Sequence, residues 1–190
     1  MTTEELRNSL LAAPKNGFTR VSTEQRAEIE AYNKRYMTFM DLAKTEREAT
    51  DWAIREAEKY GFVPFVPGME AKPGDKIYYN NRGKAIALAV IGNEPLNKGA
   101  NICAAHVDSP RMDLKPNPLY EDSEIAFFKT HYYGGIKKYQ WLALPLALHG
   151  VVVRKDGTSV SIVIGEKEDE PILMISDLLP HLAADQMQKT

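Results

Sequence analysis

Up to Gly61 the apolar positions recur at helical intervals. Ile29, Tyr32, Tyr36, Phe39 and Ala43 step by three and four, which places them on one face of an amphipathic helix of about twenty residues. Ser22 followed three residues later by Gln25 is a capping box that predicts the start of this helix. A second box, Thr45 with Glu48, predicts a second helix carrying Ala49, Trp52, Ala53 and Ala57 on its apolar face. Gly61 is the expected residue just past its end. The residues before Ser22, with Pro14 and Gly17 among them, carry only weak pattern.

From Phe62 the period shortens. Lys76 to Tyr79 and Ala85 to Ile91 read as strands of a hairpin joined through Asn80-Asn81-Arg82-Gly83. Ile102 to Ala105 is apolar without alternation, the pattern of a strand buried on both faces at the centre of an α/β sheet. Beyond Pro116 and Pro118 the composition shifts to an acidic patch at Glu121, Asp122 and Glu124 and then to an aromatic stretch through Trp141, which marks a module boundary. Val151 to Val153 and Val160 to Ile164 flank Asp156-Gly157 as a second hairpin. A helix is expected to begin at Asp177. The fold class is α/β: a helix pair and a mixed sheet, followed by a β-rich portion. The corresponding domains are 1–118 and 119–190.

Composition narrows the function classes. The 190 residues carry 24 Lys+Arg against 26 Asp+Glu, a formal net charge of -2. With Lys137-Lys138 and Arg154-Lys155 as isolated pairs, no basic surface recommends a nucleic-acid partner. The single cysteine, Cys103, cannot close an internal disulfide, which points to a reducing, cytoplasmic setting. It reads as a small buried hydrophobe. The longest apolar run, Trp141 to Leu148, is interrupted by Pro145, so no membrane span is expected, and the opening residues lack the apolar core of a signal peptide.

The candidate chemistry lies at His106 and Asp108, two residues apart at the end of the presumed buried strand. In extended backbone such residues point the same way, so imidazole and carboxylate would project together above the sheet, where α/β proteins place their sites. A neutral imidazole suits zinc, and a nearby carboxylate can orient that ligand. The same residues also suit a strand-end turn in which Asp108 bonds the backbone ahead of Pro110. His149, in an apolar strand beside Gly150, reads as a satisfied packing or edge residue. The aromatic face near Trp52 reads as core, and the run Glu166 to Glu170 as solvated charge.

Ala105-His106-Val107-Asp108-Ser109-Pro110 resembles the signature of the aspartyl aminopeptidase and aminopeptidase I family of dinuclear zinc metallopeptidases. Upstream, Asn81-Arg82-Gly83 with Ile86 to Val90 and Gly92 is similar to the family's turn and strand before that motif. Downstream, Tyr133-Gly134-Gly135-Ile136, and Pro171-Ile172-Leu173 leading to Pro180-His181-Leu182, resemble its later segments in the same order. The resemblance implies that the chain is the amino-terminal part of a zinc-aminopeptidase catalytic domain followed by part of a β-rich dimerisation or lid domain. It implies His106 as a zinc ligand, Asp108 as the acid supporting that site, and His181 as a catalytic histidine reaching into a neighbouring subunit's active site. Tyr132 to Ile136 is expected to serve packing rather than chemistry.

A complete site of this family holds two zinc ions, with other divalent metals as substitutes, and acts on peptide substrates within a homo-oligomer, a dodecamer. The family's remaining ligands have no counterpart in this chain, so its partners are expected to include a carboxyl-terminal half of the same enzyme as well as further copies through the dimerisation domain. The isolated chain is then inactive. The alternative is a noncatalytic oligomerisation module with a vestigial metal motif.

Overall fold

The computed structural model describes residues 2–12 and 16–185, and the chain divides into two compact units, Met1–Leu42 and Ala43–Thr190. In the first, α1 (Thr3–Leu10) starts from a capping box in which the Thr2 hydroxyl accepts from the Glu5 amide and the Glu5 carboxylate accepts from the Thr2 amide. α2 (Thr23–Leu42) starts from the expected Ser22–Gln25 box, with reciprocal bonds of 3.2 and 2.9 Å. No residue of either helix is buried, and Tyr36 and Phe39 lie against each other on α2 with ring centroids 6.2 Å apart. Caps and intrahelical spacing therefore define these helices, since none of their side chains is buried by packing.

In the second unit, α3 (Glu46–Lys59) is capped by Thr45, whose hydroxyl accepts from the Glu48 amide while the Glu48 carboxylate accepts from the Thr45 amide. It packs on a three-stranded mixed sheet in which β1 (Val63–Pro64) runs parallel to β2 (Lys76–Asn81) and β3 (Ala85–Val90) runs antiparallel to β2. The buried side chains of this contact are small: Ala49, Thr50 and Ala57 of α3, against Tyr78 of β2, whose hydroxyl donates to Glu58 at 2.9 Å. The turn between β2 and β3 holds Arg82 and Gly83 at φ 60° and 65°, closed by the Lys84 amide on the Asn81 carbonyl.

Two further hairpins follow. β4 (Arg111–Asp122) pairs with β5 (Ile125–Tyr133), with a register shift between Leu114 and Leu119 where Pro116 and Pro118 supply no backbone donor. β6 (Leu148–Val153) pairs with β7 (Ser159–Ile164) around the expected Asp156-Gly157 turn, with Gly157 at φ 84°. The segments after Trp141 and after Pro171 touch through single bridges at Leu142 with Ile175 and Leu146 with Leu173.

Three expectations are corrected. Ile102 to Ala105 is irregular and exposed, Ile102 at 87%, rather than a strand buried on both faces. An apolar run becomes a central strand only where neighbours offer it hydrogen-bond partners on both sides, and no described strand pairs with it. Cys103 is accordingly exposed, not buried. Asp177 to Asp185 forms turns instead of the start of a helix, closed by the Leu182 and Ala183 amides on the Leu179 carbonyl; the remainder of the expected helix lies outside the described residues. A helix starting here would have no packing for its apolar face, since Leu178, Leu179 and Leu182 are 49%, 67% and 71% exposed.

Candidate metal site

His106 sits in the irregular segment ahead of β4, its side chain 82% exposed. Its Nδ1 lies 2.7 Å from the backbone oxygen of Asp108 and 3.4 Å from the Asp108 carboxylate. A carbonyl oxygen can only accept, so Nδ1 carries the proton, and in the neutral ring Nε2 presents its lone pair. This is the tautomer a metal-ligating histidine adopts when its second nitrogen is held by an oxygen acceptor. The pairing expected from alternation in a strand is thus achieved by irregular backbone: Asp108 orients the imidazole through its backbone oxygen.

The carboxylate of Asp108 is committed elsewhere. It accepts a hydrogen bond from the Tyr133 hydroxyl, which, with help from its own backbone amide, holds Asp108 below the ordinary value of 3.8 and pushes the Tyr133 phenol upward. Tyr133 reaches it because Arg111 and Tyr133 are paired across the base of β4 and β5, and because Gly134 at φ 74° turns the chain so that it passes beside Pro110. A residue with a Cβ is disfavoured in that conformation. The Arg111 guanidinium lies 4.2 Å from the centre of the Tyr133 ring, donates from Nε to Asp113 at 2.8 Å, and stands 3.6 Å from Glu46 at the start of α3. Burial pulls Arg111 down, yet Asp113 and Glu46 outweigh it and raise it. The sheet base and α3 thereby brace the segment that carries His106.

His181 lies exposed in the turn Pro180-His181-Leu182. Among the described residues no group of three or more His, Cys, Asp and Glu side chains is placed to hold a metal ion. A catalytic zinc takes about three protein ligands. The described residues therefore fit one ligand and the residue that orients it, not a complete metal centre.

Residue reading from the sequence missed Tyr133 as the partner of Asp108 and Arg111 as its neighbour. The signal was the glycine after Tyr133, whose positive φ aims the preceding residue. It also missed a second constellation. His149 is bonded at both ring nitrogens, Nδ1 to Glu48 at 2.8 Å and Nε2 to Glu166 at 2.7 Å. The run Glu166 to Glu170 is correspondingly structured, since Glu170 accepts from the Gly165 and Glu166 amides.

Comparison with known proteins gives one consistent result. Residues 39–190 match the family described as Aminopeptidase I zinc metalloprotease (M18). The Probable M18 family aminopeptidase 1 of Clostridium acetobutylicum is 48% identical over 186 residues, covering 96% of this chain and 40% of that protein. Its namesake from Thermotoga maritima is 51% identical over 158 residues, covering 83% and 35%. The crystal structure of aminopeptidase I from Borrelia burgdorferi B31 superposes with a TM-score of 0.82 at 43% identity, over 87% of this chain and 41% of that one. The chain spans about 40% of the length of the curated relatives it matches.

Proposed function

Because the chain belongs to the aminopeptidase I (M18) family of zinc metalloproteases, we propose that it is the amino-terminal portion of a metal-dependent aminopeptidase that removes amino-terminal residues from peptides. The remaining metal ligands come from a further segment or a second chain. The observation that carries this reading is the oriented imidazole of His106, its Nδ1 fixed on the Asp108 backbone and its Nε2 left to a metal, within a chain that matches the family over residues 39–190. In this reading His106 is a zinc ligand, Asp108 supports it, and His181 acts on the substrate of a neighbouring subunit.

The setting is cytoplasmic and the assembly a homo-oligomer that also contains the carboxyl-terminal portion. Among the described residues no helix is long and apolar enough to cross a membrane. The proposed division into 1–118 and 119–190 rests on the shift in composition beyond Pro116 and Pro118; β4 pairs with β5 on both sides of it.

The test is to purify the chain with and without the carboxyl-terminal portion of the Clostridium acetobutylicum relative, and to measure zinc content and the release of amino-terminal residues from peptides. Activity in the pair, absent from the chain alone and reduced about a hundredfold or more by His106→Ala, is expected for a lost metal ligand. A zinc-loaded pair without activity, or full activity in His106→Ala, overturns the reading. A chain that forms stable metal-free oligomers and never acquires activity is instead an oligomerisation module.

A further inference from the structure

We propose that His149 is a pH-operated clamp holding the β6–β7 hairpin to the amino-terminal turn of α3, engaged while both ring nitrogens carry protons and loosened when one proton is lost. Both ring nitrogens lie within hydrogen-bond distance of a carboxylate, Glu48 on α3 and Glu166 just past β7, and an ionised carboxylate can only accept. Both bonds form together only with the imidazolium. When the ring is neutral, one nitrogen turns a lone pair toward a carboxylate, and that contact becomes repulsive.

Neither carboxylate is free to turn away at no cost. Glu48 also accepts from the Thr45 and Lys44 amides, so its position belongs to the helix cap, and Glu166 lies 3.4 Å from the Lys44 ammonium. The histidine side chain is 12% exposed. Around it lies a cavity of about 220 Å³. The charged groups facing that cavity are Glu46, Arg47, Glu48 and Asp51 from α3 and Arg111 and Asp113 from β4, with Lys44 and Glu166 completing the ring's surroundings. Carboxylates outnumber cations among them, which favours the charged imidazole. His131 and His181 have no such enclosure, being exposed.

Burial pulls the His149 imidazole down, but the bonds to Glu48 and Glu166 and their charges outweigh it and lift it above the ordinary 6.5. A base raised in the folded state contributes stability that is fully present below its unfolded value and lost as pH rises through the folded one. The clamp therefore loosens toward alkaline pH: the neutral ring still donates to one carboxylate and Lys44 still pairs with Glu166, but the second bond between the β6–β7 hairpin and α3 is lost while the caps and ladders of each remain.

The clamp shares Glu46 and Arg111 with the surroundings of the His106 segment but needs no metal, and it is tested on the 190-residue chain itself. Imidazole nitrogen shifts followed by NMR against pH report both ring protons of His149, and hydrogen exchange corrected for intrinsic rates reports protection of the β6–β7 and Thr45–Glu48 amides. The expected result is His149 titrating above 6.5, with protection at these amides falling about fivefold across the same pH interval, the ratio one partly buried ion pair supplies. Glu166→Gln, at a side chain 37% exposed, moves the His149 midpoint down, and His149→Gln removes the step in protection. A midpoint unchanged in Glu166→Gln, or a step of equal size in His149→Gln, overturns the proposal; should His149→Gln fail to fold, the Glu166→Gln midpoint decides alone.

Discussion

Asp108 divides two tasks between two parts of one residue. Its backbone oxygen fixes the tautomer of His106, and its side chain is held by Tyr133. Removing the phenol in Tyr133→Phe leaves the first task intact and weakens the second. The carboxyl carbon of Asp108, followed by NMR, is expected to titrate at higher pH in this variant. The sign follows from linkage: a depressed acid contributes stability above its unfolded value of 3.8 that disappears as pH falls through the folded value. The stability difference between the wild type and Tyr133→Phe is thus constant at neutral pH and shrinks in acid; a difference that persists into strong acid would show that Tyr133 acts only by packing.

Thr50 presents the opposite case. It is fully buried on α3, and among the described residues its hydroxyl has no hydrogen-bond partner. A buried hydroxyl without a partner costs about 1–3 kcal/mol of desolvation, while valine has nearly the same shape. Thr50→Val is expected to raise the urea midpoint by an amount equivalent to about 1 kcal/mol; a lower midpoint would mean that the hydroxyl finds a partner in solution.

Among the elements, the β4–β5 hairpin shows why its turn was read as an acidic patch. Asp122 pairs with Ile125, so Ser123 and Glu124 form a two-residue turn, and both take positive φ, 52° and 65°. Such turns favour Asn-Gly, and a sequence with Ser-Glu hides the signal. The local cost is offset by the Glu124 amide donating to Glu121 and by the stack of Tyr120 on Phe127 at 5.3 Å. Glu124→Gly relieves the left-handed backbone and is expected to stabilise the chain by about 1 kcal/mol, seen as a rise of about 2–4 °C in the thermal midpoint. A fall would show that the glutamate side chain stabilises this turn by more than its backbone strain costs. The β6–β7 hairpin, by contrast, was legible from Asp156-Gly157, because there the turn residues and the strand pattern agree.

For the molecule as a whole, the second unit buries few side chains beyond α3 and its sheet, and large apolar groups on β4 and β5 such as Leu119 and Ile125 are 67% and 56% exposed. A second cleft, of about 430 Å³, is lined by Met112, Tyr132, Ile136, Trp141, Leu142 and Ile175. With a net charge of only -2 there is little repulsion to keep such surfaces apart. The isolated chain is expected to self-associate with rising concentration in sedimentation experiments, and the carboxyl-terminal portion of a relative is expected to suppress this by covering the same surface. A monomer at all concentrations would show that this surface needs no cover.

The sequence by itself determined the elements whose causes are local. The boxes at Ser22 and Thr45 set where α2 and α3 begin, and Arg82-Gly83 and Asp156-Gly157 set two hairpins, because a cap or a turn is decided by atoms a few residues apart. The motif at His106 and Asp108 was likewise visible as residue types. Tertiary structure alone decided how those residues are used. Ile102 to Ala105 has the composition of a central strand and is not one, since a strand is made by its neighbours. Tyr133 meets Asp108, and His149 meets Glu48 from 101 residues away, because hairpins and a helix bring them together. No spacing in the chain encodes such distances; they exist only after the packing that creates them.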